Sequence, residues 1–540
     1  MKKFLALLLS CLMLVSVMTA CGEKAPADGD EGTEKVLNMR LAKGLLATDW
    51  AATTNTSDMQ ITWVQVFEGL YGMDEANGGY YELLADDIKV SDDGKEYTIT
   101  LIDAKFQNGD PLKASDVVFS YGVAKENPRF NYVTSFINNI EAKDDKTVVM
   151  TLDYPYSAIA HTFWSIKIYN EKEYTAAGDK FGTVPHKAGT GPYYIDQYDV
   201  STGVTLKAFE DYHGGKAAID TVNYKVITEN SAAVIAFENG ELDYFTDVPL
   251  SDWENIAKAA GEDDCDLAKG NNIRFMSINY LSDTNNGILG NEKVREAIFH
   301  AVDKDAVVKV ATAGYGQVAY EYMPSDYVAT SPKVSEGKFT TYDFDAEKVK
   351  SLLKEAGFTD ADIAAGINVG TILTYGEQTA DKGKAQIVIQ DNLKACGLIA
   401  NVECAEAANV TPRMYAQNYD IAIFADSGNY DYNNIRQQVH SESTGMYIVD
   451  FAAKGASVEG TNKTSPFNWQ RLEELVDLGV ATADTAARYD IYTELWSIVM
   501  DTKTILPLYH QATGIAWSDR INVETINPTY YHLVDFSWAE

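Results

Sequence analysis

The stretch Lys105-Phe-Gln-Asn-Gly-Asp-Pro-Leu-Lys-Ala-Ser-Asp-Val-Val-Phe119 combines a turn with the start of a helix, and it is the most distinctive segment of the chain. Gly109-Asp110-Pro111 predicts a tight turn, because glycine relieves backbone crowding and proline presets φ. Ser115 is a good N-cap residue, since its hydroxyl can accept a hydrogen bond from a backbone amide of the first helical turn. We therefore predict a helix that begins at Ser115 and continues through Val117 to Phe119.

Strands and helices are mixed on both sides of this stretch, without an internal repeat. Apolar and polar residues alternate in segments 97–101, 204–208 and 222–226, which is typical of half-buried strands. Apolar residues three and four positions apart predict helices around Val294 to Val302, Val349 to Ala356 and Ile491 to Val499, and Gly357 is well placed to end the second of these. This mixing predicts an α/β fold class.

Size and charge narrow the class of protein. A chain of 540 residues with 46% hydrophobic residues exceeds one compact domain, so we expect two or three domains. The formal net charge is -35. Such an acidic surface repels nucleic acid and anionic lipid headgroups, which argues against a nucleic-acid-binding role.

Residues 1–20 are predicted to be a secretory signal peptide. A basic start at Met1-Lys2-Lys3 is followed by an apolar run and then by small residues. That run is shorter than the roughly 20 residues that span a bilayer. Met18-Thr19-Ala20-Cys21 resembles a bacterial lipobox, with Met18 in place of the usual leucine, which implies lipidation of Cys21. Residues 21–35 are polar and predict a flexible tether. An ordinary signal peptide with an unlipidated cysteine is the alternative.

Catalytic and metal-binding templates find no match in the sequence. The GxSxG, GxxxxGK[ST] and HExxH motifs are absent, and the seven histidines never pair at helical spacing. Beyond the predicted tether the cysteines are Cys265, Cys396 and Cys404, and a bond between the last two stays open. We expect no catalytic residues, no metal, no cofactor and no enzymatic activity.

Short motifs follow one another in a defined order from residue 67 to residue 509. They are Phe67-Glu-Gly-Leu-Tyr71, Leu84-Ala-Asp86, segment 97–101, the stretch 105–119, Gly189-Thr-Gly-Pro-Tyr193, Asp220, Asp243 after Gly240, Ile278-Asn279, Val294-Arg-Glu-Ala297, Ala301-Val-Asp303, segment 488–492 and Leu506-Pro-Leu-Tyr509. In order and spacing they resemble the dipeptide/oligopeptide-binding family of bacterial extracellular solute-binding proteins, which serve ATP-driven importers.

The resemblance implies a two-lobed periplasmic-binding-protein-like fold with an extra inserted domain and a hinge between the lobes. We expect a discontinuous first domain of residues 36–70, 188–278 and 508–540, an inserted domain of residues 71–187, and a second lobe of residues 279–507. The chain would then cross the hinge near residues 278 and 507. The lack of clear interdomain linkers agrees with this layout.

The same resemblance implies where a ligand binds. In peptide-binding members an acidic residue of the second lobe, in an Asp-Tyr-Asn segment after a buried strand, pairs with the peptide α-ammonium group. Here residues 419–424 predict that strand, and Asp431-Tyr432-Asn433 follows it. We therefore expect Asp431 to hold the α-ammonium group, because a charged hydrogen bond is strong and directional. Asp426 is the rival acid.

Two further expectations concern the walls of the cleft. The loop that begins at Asp49 should contribute contacts from the first lobe, with Thr54 and Asn55 as candidates. Ile423 stands where some family members carry an arginine for a peptide carboxylate, so recognition of the peptide C-terminus stays open.

The resemblance implies that the protein captures di- to oligopeptides by hinge closure and delivers them to ABC permease transmembrane subunits. We expect a lipid-anchored monomer at the outer face of the bacterial cytoplasmic membrane, or in a periplasm if the host has two membranes. An oligosaccharide is the alternative solute, with Trp50 and Trp63 near the expected cleft. A nickel chelate, an opine or a peptide-sensing role without transport are further alternatives.

Overall fold

The computed structural model describes residues 36–53, 55–74, 79–324, 328–416, 418–427, 432–439, 469–526 and 529–539. Residues 36–540 form one compact unit. The predicted signal peptide, Cys21 and the tether lie outside the described residues. Within the described ranges, no helix is both long enough and apolar enough to cross a membrane.

The strands of these ranges are numbered in chain order. They are β1 (Val36–Leu41), β2 (Tyr71–Asp74), β3 (Gly79–Glu82), β4 (Ala85–Val90), β5 (Glu96–Leu101), β6 (Ile137–Ala142), β7 (Thr147–Leu152), β8 (Tyr193–Asp199), β9 (Gly203–Ala208), β10 (Thr221–Val226), β11 (Tyr244–Val248), β12 (Cys265–Ile278), β13 (Gln317–Val318), β14 (Ile367–Tyr375), β15 (Leu398–Ala405), β16 (Ile421–Ser427), β17 (Ile505–Trp517), β18 (Ile521–Val523) and β19 (Phe536–Trp538).

The helices of the same ranges lie between these strands. They are α1 (Thr56–Met59), which continues into a π-helix (Gln60–Val66), α2 (Ala114–Glu126), α3 (Asn131–Thr134), α4 (Ile159–Ser165), α5 (Glu171–Ala177), α6 (Asn230–Glu238), α7 (Trp253–Ala260), α8 (Thr284–Gly287), α9 (Glu292–Ala301), α10 (Lys304–Ala311), α11 (Ala346–Glu355), α12 (Asp360–Ala365), α13 (Asp381–Ala395), α14 (Ala407–Tyr415), α15 (Arg436–Val439), α16 (Trp469–Ala481) and α17 (Thr485–Asp501). Short 3-10 turns lie at Pro128–Phe130, Gly178–Lys180, Ile288–Gly290, Val334–Glu336, Tyr432–Ile435 and Leu533–Asp535.

One mixed sheet runs through the whole described unit, in the strand order β15-β14-β16-β12-β17-β11-β1-β10-β9-β8. Strand β1 pairs in parallel with β10 and β11 at one end, and β14 pairs in parallel with β15 and β16 at the other. The long strands β12 and β17 pair with each other antiparallel in the middle. The predicted α/β class is thus confirmed, with two parallel-strand regions joined by two central strands.

The buried apolar residues form two large cores on either side of those central strands. One core is built from residues between Leu37 and Ala268, from Val480, and from residues between Ile515 and Phe536, and the other is built from residues between Ile273 and Tyr509. The strand pairing shifts register between Lys269 and Ile273, at the point where β12 passes from one core to the other. We call residues 36–268 and 512–539 the first lobe, and residues 273–509 the second lobe.

A separate four-stranded antiparallel sheet, in the order β4-β5-β7-β6, belongs to the first lobe. Strand β5 covers the predicted strand 97–101, and its burial alternates along the chain as the pattern requires. The predicted strands 204–208 and 222–226 are β9 and β10. Helix α2 contacts this sheet through β6 and β7.

The predicted helices of the second lobe are present as α9, α11 and α17. Helix α11 begins at Asp345, whose side chain accepts a hydrogen bond from the Lys348 amide at 2.9 Å. Gly357 follows the helix with φ of +99°, a conformation that favours glycine. The apolar stripes bury one face of each helix against the second core.

The stretch 105–119 forms the predicted turn but a different helix start. Gly109 has φ of +90°, and its amide donates to the Phe106 carbonyl at 2.8 Å. The N-cap residue of α2 is Lys113, so the assignment of Ser115 as the cap was wrong. Asp116 explains why the helix starts before Ser115. Its Oδ2 accepts a hydrogen bond from the Lys113 amide at 3.0 Å, so the backbone at Lys113 is capped without the Ser115 hydroxyl.

Cys265, Cys396 and Cys404 are free thiols. The bond between Cys396 and Cys404 that the sequence left open is therefore not formed. Cys396 caps α13 at its C-terminal end, and the Cys404 Sγ donates to the Gly376 carbonyl at 3.2 Å.

Candidate functional site

A cavity of about 330 Å³ lies where β12 and β17 pass between the two lobes. Its volume is at the lower end of the range of about 300 to 1,000 Å³ that is usual for small-molecule sites. Most of its lining is polar and uncharged: Thr56, Ser57, Gln60, Thr246, Asn272, Gln511, Thr513 and Thr529. Three charged residues, Arg40, Asp247 and Arg274, and the aromatic Tyr531 also line it.

Arg40 reaches the cavity from β1 in the first lobe. Its Nε donates to the Ile227 carbonyl at 2.9 Å, and its Nη2 donates to the Asn230 Oδ1 at 2.7 Å. These acceptors are neutral, so they fix the guanidinium group without cancelling its charge. Burial lowers the pKa of Arg40, and the nearby Asp247 carboxylate partly offsets this effect.

Asp247 lies in a bulge of β11, on the same side of the cavity. The pairing with β17 is irregular between Phe245 and Val248, and Asp247 has φ of 54°. A left-handed backbone is uncommon for a non-glycine residue, and bulges of this kind re-aim a side chain. The residue lines the cavity. Desolvation raises the pKa of Asp247, and Arg40 opposes that rise.

Arg274 lies on β12 at the centre of a polar network. Its Nε donates to the Asp381 Oδ2 at 2.6 Å, and its Nη2 donates to the Gln511 Oε1. The Tyr509 hydroxyl donates to the same Asp381 oxygen at 3.2 Å. Burial acts to raise the pKa of Asp381, but the charges of Arg274 and Lys382 together hold it below its ordinary value. Asp381 is therefore a carboxylate that keeps the guanidinium group in place.

Of the two acidic residues predicted to bind the ligand, the structure describes only Asp426. Asp431 lies outside the described residues. Asp426 is half-buried on β16, and its Oδ2 accepts a hydrogen bond from the Tyr322 hydroxyl. Its neighbour Ala425, rather than Asp426, lines the cavity.

The remaining predicted contact residues are not among the described residues that line the cavity. Tyr432 is fully buried in the second core, with its ring centroid 5.2 Å from that of Tyr492. Asn433 is described through its backbone only, in the turn Tyr432–Ile435. Thr54 lies outside the described residues, and the Asn55 Oδ1 caps α1 by accepting from the Asp58 amide at 3.0 Å. The loop does reach the cavity, but it does so through Thr56 and Ser57.

Trp50 and Trp63 are core residues rather than cleft residues. Trp50 is 0% exposed and Trp63 is 3% exposed, and their rings meet edge to face with centroids 5.9 Å apart. The Trp63 Nε1 donates to the Trp50 carbonyl at 2.8 Å. No indole ring therefore lines the described part of this cavity.

Sequence reasoning missed Arg40, Asp247, Arg274 and Gln511. A signal existed for Arg274, because this arginine interrupts the short apolar run from Ile273 to Met276. Such a charge needs a built partner or a polar cavity. The other three have no comparable signal, since a polar residue on a strand is ordinary.

Metal ligands do not cluster in the part of the chain that the structure describes. Those residues contain no group of three His, Cys, Asp or Glu side chains that could hold a metal ion. The lining of the cavity instead offers hydrogen bonds and charges of both signs, which suits an organic solute with polar ends.

Sequence comparison identifies related proteins. The family model described as bacterial extracellular solute-binding proteins, family 5, middle region, matches residues 79–444. The glutathione-binding protein GsiB of Salmonella typhi is 29% identical over 355 residues, which cover 63% of this chain and 64% of that protein. The dipeptide-binding protein of Escherichia coli K12 is 26% identical over 460 residues, with coverage of 79% of this chain and 80% of that protein.

Solved structures show the same fold. NikA from Brucella suis, in complex with Fe(III)-EDTA, has a TM-score of 0.79 at 20% identity and covers 94% of this chain and 100% of its own. The oligopeptide-binding protein AppA from Bacillus subtilis, in complex with a nonapeptide, has a TM-score of 0.73 at 19% identity with the same coverage. At such identities the likeness shows the fold alone, and it confirms the predicted periplasmic-binding-protein-like architecture.

Proposed function

This chain belongs to the bacterial extracellular solute-binding proteins of family 5, and from that membership we propose that it captures small peptides and delivers them to an ABC permease. The observation that carries the proposal is the cavity at the crossing of β12 and β17, with Arg40, Asp247 and Arg274 among neutral hydrogen-bonding side chains. A short peptide has an ammonium end, a carboxylate end and a main chain that both donates and accepts hydrogen bonds, so it matches each class of lining group.

Peptide capture is supported over oligosaccharide capture. An oligosaccharide site uses aromatic rings on which sugars stack, and here Trp50 and Trp63 are buried in the first core, while the cavity-lining Tyr531 is only 5% exposed. A nickel chelate or an opine remains an outcome of the ligand screen rather than a second proposal. Peptide sensing without transport is distinguished by the gene neighbourhood, since a permease and an ATPase encoded beside this protein would indicate a transport role.

The mechanism that we propose is closure of the lobes around the solute, without any chemical change to it. Family members are solute-binding transport proteins, and the absence of enzymatic activity in this chain is part of the proposal. We also propose the predicted domain division: a discontinuous domain of residues 36–70, 188–278 and 508–540, an inserted domain of residues 71–187, and a third domain of residues 279–507. Two extended strands between separate cores can bend with little loss of packing, which favours β12 and β17 as the hinge.

Candidate ligand contacts outside the described cavity remain part of the proposal. Asp431 is proposed to hold the peptide α-ammonium group, with Asp426 as the rival acid. Thr54, Asn55, Tyr432 and Asn433 are proposed contacts of lower rank, because Asn55 already caps a helix and Tyr432 is buried.

We propose that the protein is exported and anchored as a lipoprotein. Residues 1–20 would be the signal peptide, Cys21 the lipidated residue, and residues 21–35 the tether that holds a monomer near its permease. Metabolic labelling with a fatty acid tests this: the label should be incorporated into the wild-type protein and lost in Cys21→Ala. Labelling that persists in the variant would refute the anchor without affecting the ligand proposal.

The experiment that tests the function is a thermal-shift screen of residues 36–540, which contain both cores. The panel holds di- to hexapeptides, cello- and xylo-oligosaccharides, nickel chelates and opines. A ligand that binds only the folded state raises the melting temperature by mass action. We expect stabilisation by peptides, a weaker effect after N-terminal acetylation, and no effect of acetylation in Asp431→Asn. Stabilisation by sugars alone would overturn the peptide proposal.

A further inference from the structure

Arg274 occupies an unusual position for a charged residue. It lies on β12 between Ile273 and Phe275, both fully buried in the second core. Successive side chains of a strand point to opposite faces, so the arginine points away from the side on which its two neighbours pack. Only 11% of its side chain is exposed, and the residue lines the cavity.

The contacts of the guanidinium group leave part of its hydrogen-bonding capacity unused. Nε donates to Asp381 at 2.6 Å, Nη2 donates to Gln511, and Nη1 makes a long contact of 3.4 Å with the Ile273 carbonyl. An arginine carries five N–H groups in a planar fork. One N–H on each terminal nitrogen therefore has no acceptor within the described ranges. A pair of donors of this kind matches the two oxygens of a carboxylate.

The surroundings hold this donor pair in a fixed position. Asp381 and Gln511 fix two sides of the guanidinium plane, and Tyr509 in turn donates to Asp381 at 3.2 Å. A binding group whose rotamer is held by such neighbours loses little entropy when a ligand arrives. A purely structural ion pair would need neither the position in the cavity wall nor the remaining donors.

The net charge of the protein is a second reason to expect that a cation in the cavity binds a carboxylate. A protein of formal charge -35 repels a carboxylate unless a cation meets it at the site. Arg40 and Arg274 are the lysine or arginine residues among the described lining of the cavity. Arg40 donates with its Nε and Nη2 to groups of the first lobe itself, whereas Arg274 lies on the strand shared by both lobes.

We propose that Arg274 binds a carboxylate group of the solute, which makes a free carboxylate a specificity requirement of the cleft. The inference rests on the proposed capture of small solutes in this cavity and extends it by naming the group that is recognised. Gln511 and Asp381 are positioning residues, because they act through the arginine.

The test compares free and amidated ligands in matched variants of residues 36–540. Calorimetry measures the Kd of alanine peptides of two to six residues and of their C-terminal amides, for wild type, Arg274→Lys, Arg40→Lys and the surface control Arg413→Lys. Loss of a hydrogen bond to a charged group corresponds to about 10- to 100-fold in Kd. We expect amidation to weaken peptide binding to the wild-type protein by that factor. In Arg274→Lys, amidation should weaken peptide binding by less than about 5-fold.

Other outcomes overturn the inference in distinguishable ways. If Arg274→Lys keeps the full wild-type penalty, or if only Arg40→Lys loses it, Arg274 does not bind the carboxylate. The double variant Arg274→Met with Asp381→Asn removes both charges and serves if the single variant does not fold, and its amidation penalty should vanish. Opines and their methyl esters are compared in parallel. If neither peptides nor opines bind, the function proposal and this inference both fail; if peptides bind with an unchanged penalty, only the inference fails.

Discussion

Glu68 shows at the residue scale how the first lobe accommodates a buried charge. Its carboxylate is 3% exposed and accepts hydrogen bonds from the Tyr212 hydroxyl at 2.7 Å and from the His213 Nε2 at 2.9 Å. Burial acts to lower the pKa of His213, but the hydrogen bond and charge of Glu68 together raise it above its ordinary value. A protonated His213 therefore stabilises the fold, because it neutralises a carboxylate that water does not solvate.

The pH dependence of this pair is a first prediction. Since the folded pKa of His213 is raised, its contribution to stability is complete below the unfolded pKa of about 6.5 and is lost as pH rises through the folded value. We expect His213→Gln to lower the free energy of unfolding by about 1.5 to 3 kcal/mol at pH 5.5, and by less at pH 8.5. Urea denaturation of both proteins at several pH values measures this difference.

Other histidines do not disturb that comparison. Burial lowers the pKa of His161 to about 3 and of His186 to about 4, so these residues favour the unfolded state as pH falls below about 6.5. They are common to both proteins and cancel in the difference. A deficit of His213→Gln that is constant or larger at high pH would contradict the assigned role of Glu68.

At the scale of elements, the π-helix Gln60–Val66 connects the cavity to the segment that leads into β8. Gln60 lines the cavity at one end, and the Val66 carbonyl accepts from the Gly191 amide at 3.0 Å at the other. The Gln107 amide group donates to carbonyls of the same junction, Val66 at 2.9 Å and Tyr193 at 2.8 Å. The junction needs close backbone approach, because a Cβ built on Gly189 would lie 2.0 Å from the Val66 carbonyl oxygen.

Glycine substitutions test this junction. We expect Gly189→Ala to lower the free energy of unfolding by about 1 to 3 kcal/mol, since the clash is with backbone that cannot move without the π-helix. Gly122→Ala is the matched control: the residue is exposed in α2, and a Cβ there meets nothing within 4 Å. The control should gain about 0.5 to 1 kcal/mol, because alanine is the better helix former. Equal effects in urea denaturation would show that the junction tolerates a side chain.

At the scale of the whole molecule, the lobes also meet at a point away from the central strands. Val480, on α16 of the second lobe, is 2% exposed and packs within the first core. The Ser157 amide of the first lobe donates to the Val480 carbonyl at 2.7 Å. This contact joins the two lobes, so we expect it to stabilise the form of the cleft in which the lobes are together.

Truncation of this contact is predicted to weaken ligand binding from a distance. Val480→Ala removes buried methyl groups worth about 1 to 2 kcal/mol, which corresponds to a 5- to 30-fold increase in the peptide Kd if closure accompanies binding. Leu478→Ala, on the same helix at 48% exposure, is the control and should bind as wild type does. Unchanged affinity in Val480→Ala would mean that the contact also persists in the ligand-free protein.

Local periodicity in the sequence was enough to predict several of the elements. The strands at 97–101, 204–208 and 222–226 and the helices α9, α11 and α17 were predictable, because alternation and three-to-four spacing are properties of neighbouring residues. The turn at Gly109 followed from residue types alone. Ser115 was misassigned, since the Asp116 side chain caps the chain at Lys113 and this competition depends on backbone geometry.

Only the tertiary structure decided what forms the cleft. Arg40, Asp247, Arg274 and Gln511 come from β1, β11, β12 and β17, which are far apart in sequence and adjacent in one sheet. The register of the pairing and the bulge at Asp247 determine which side chains face the cavity, and neither leaves a local pattern. The burial of Trp50 and Trp63 was also decided by the tertiary structure. Their position in the chain suggested the cleft, but each ring packs where the assembled first core has room for it.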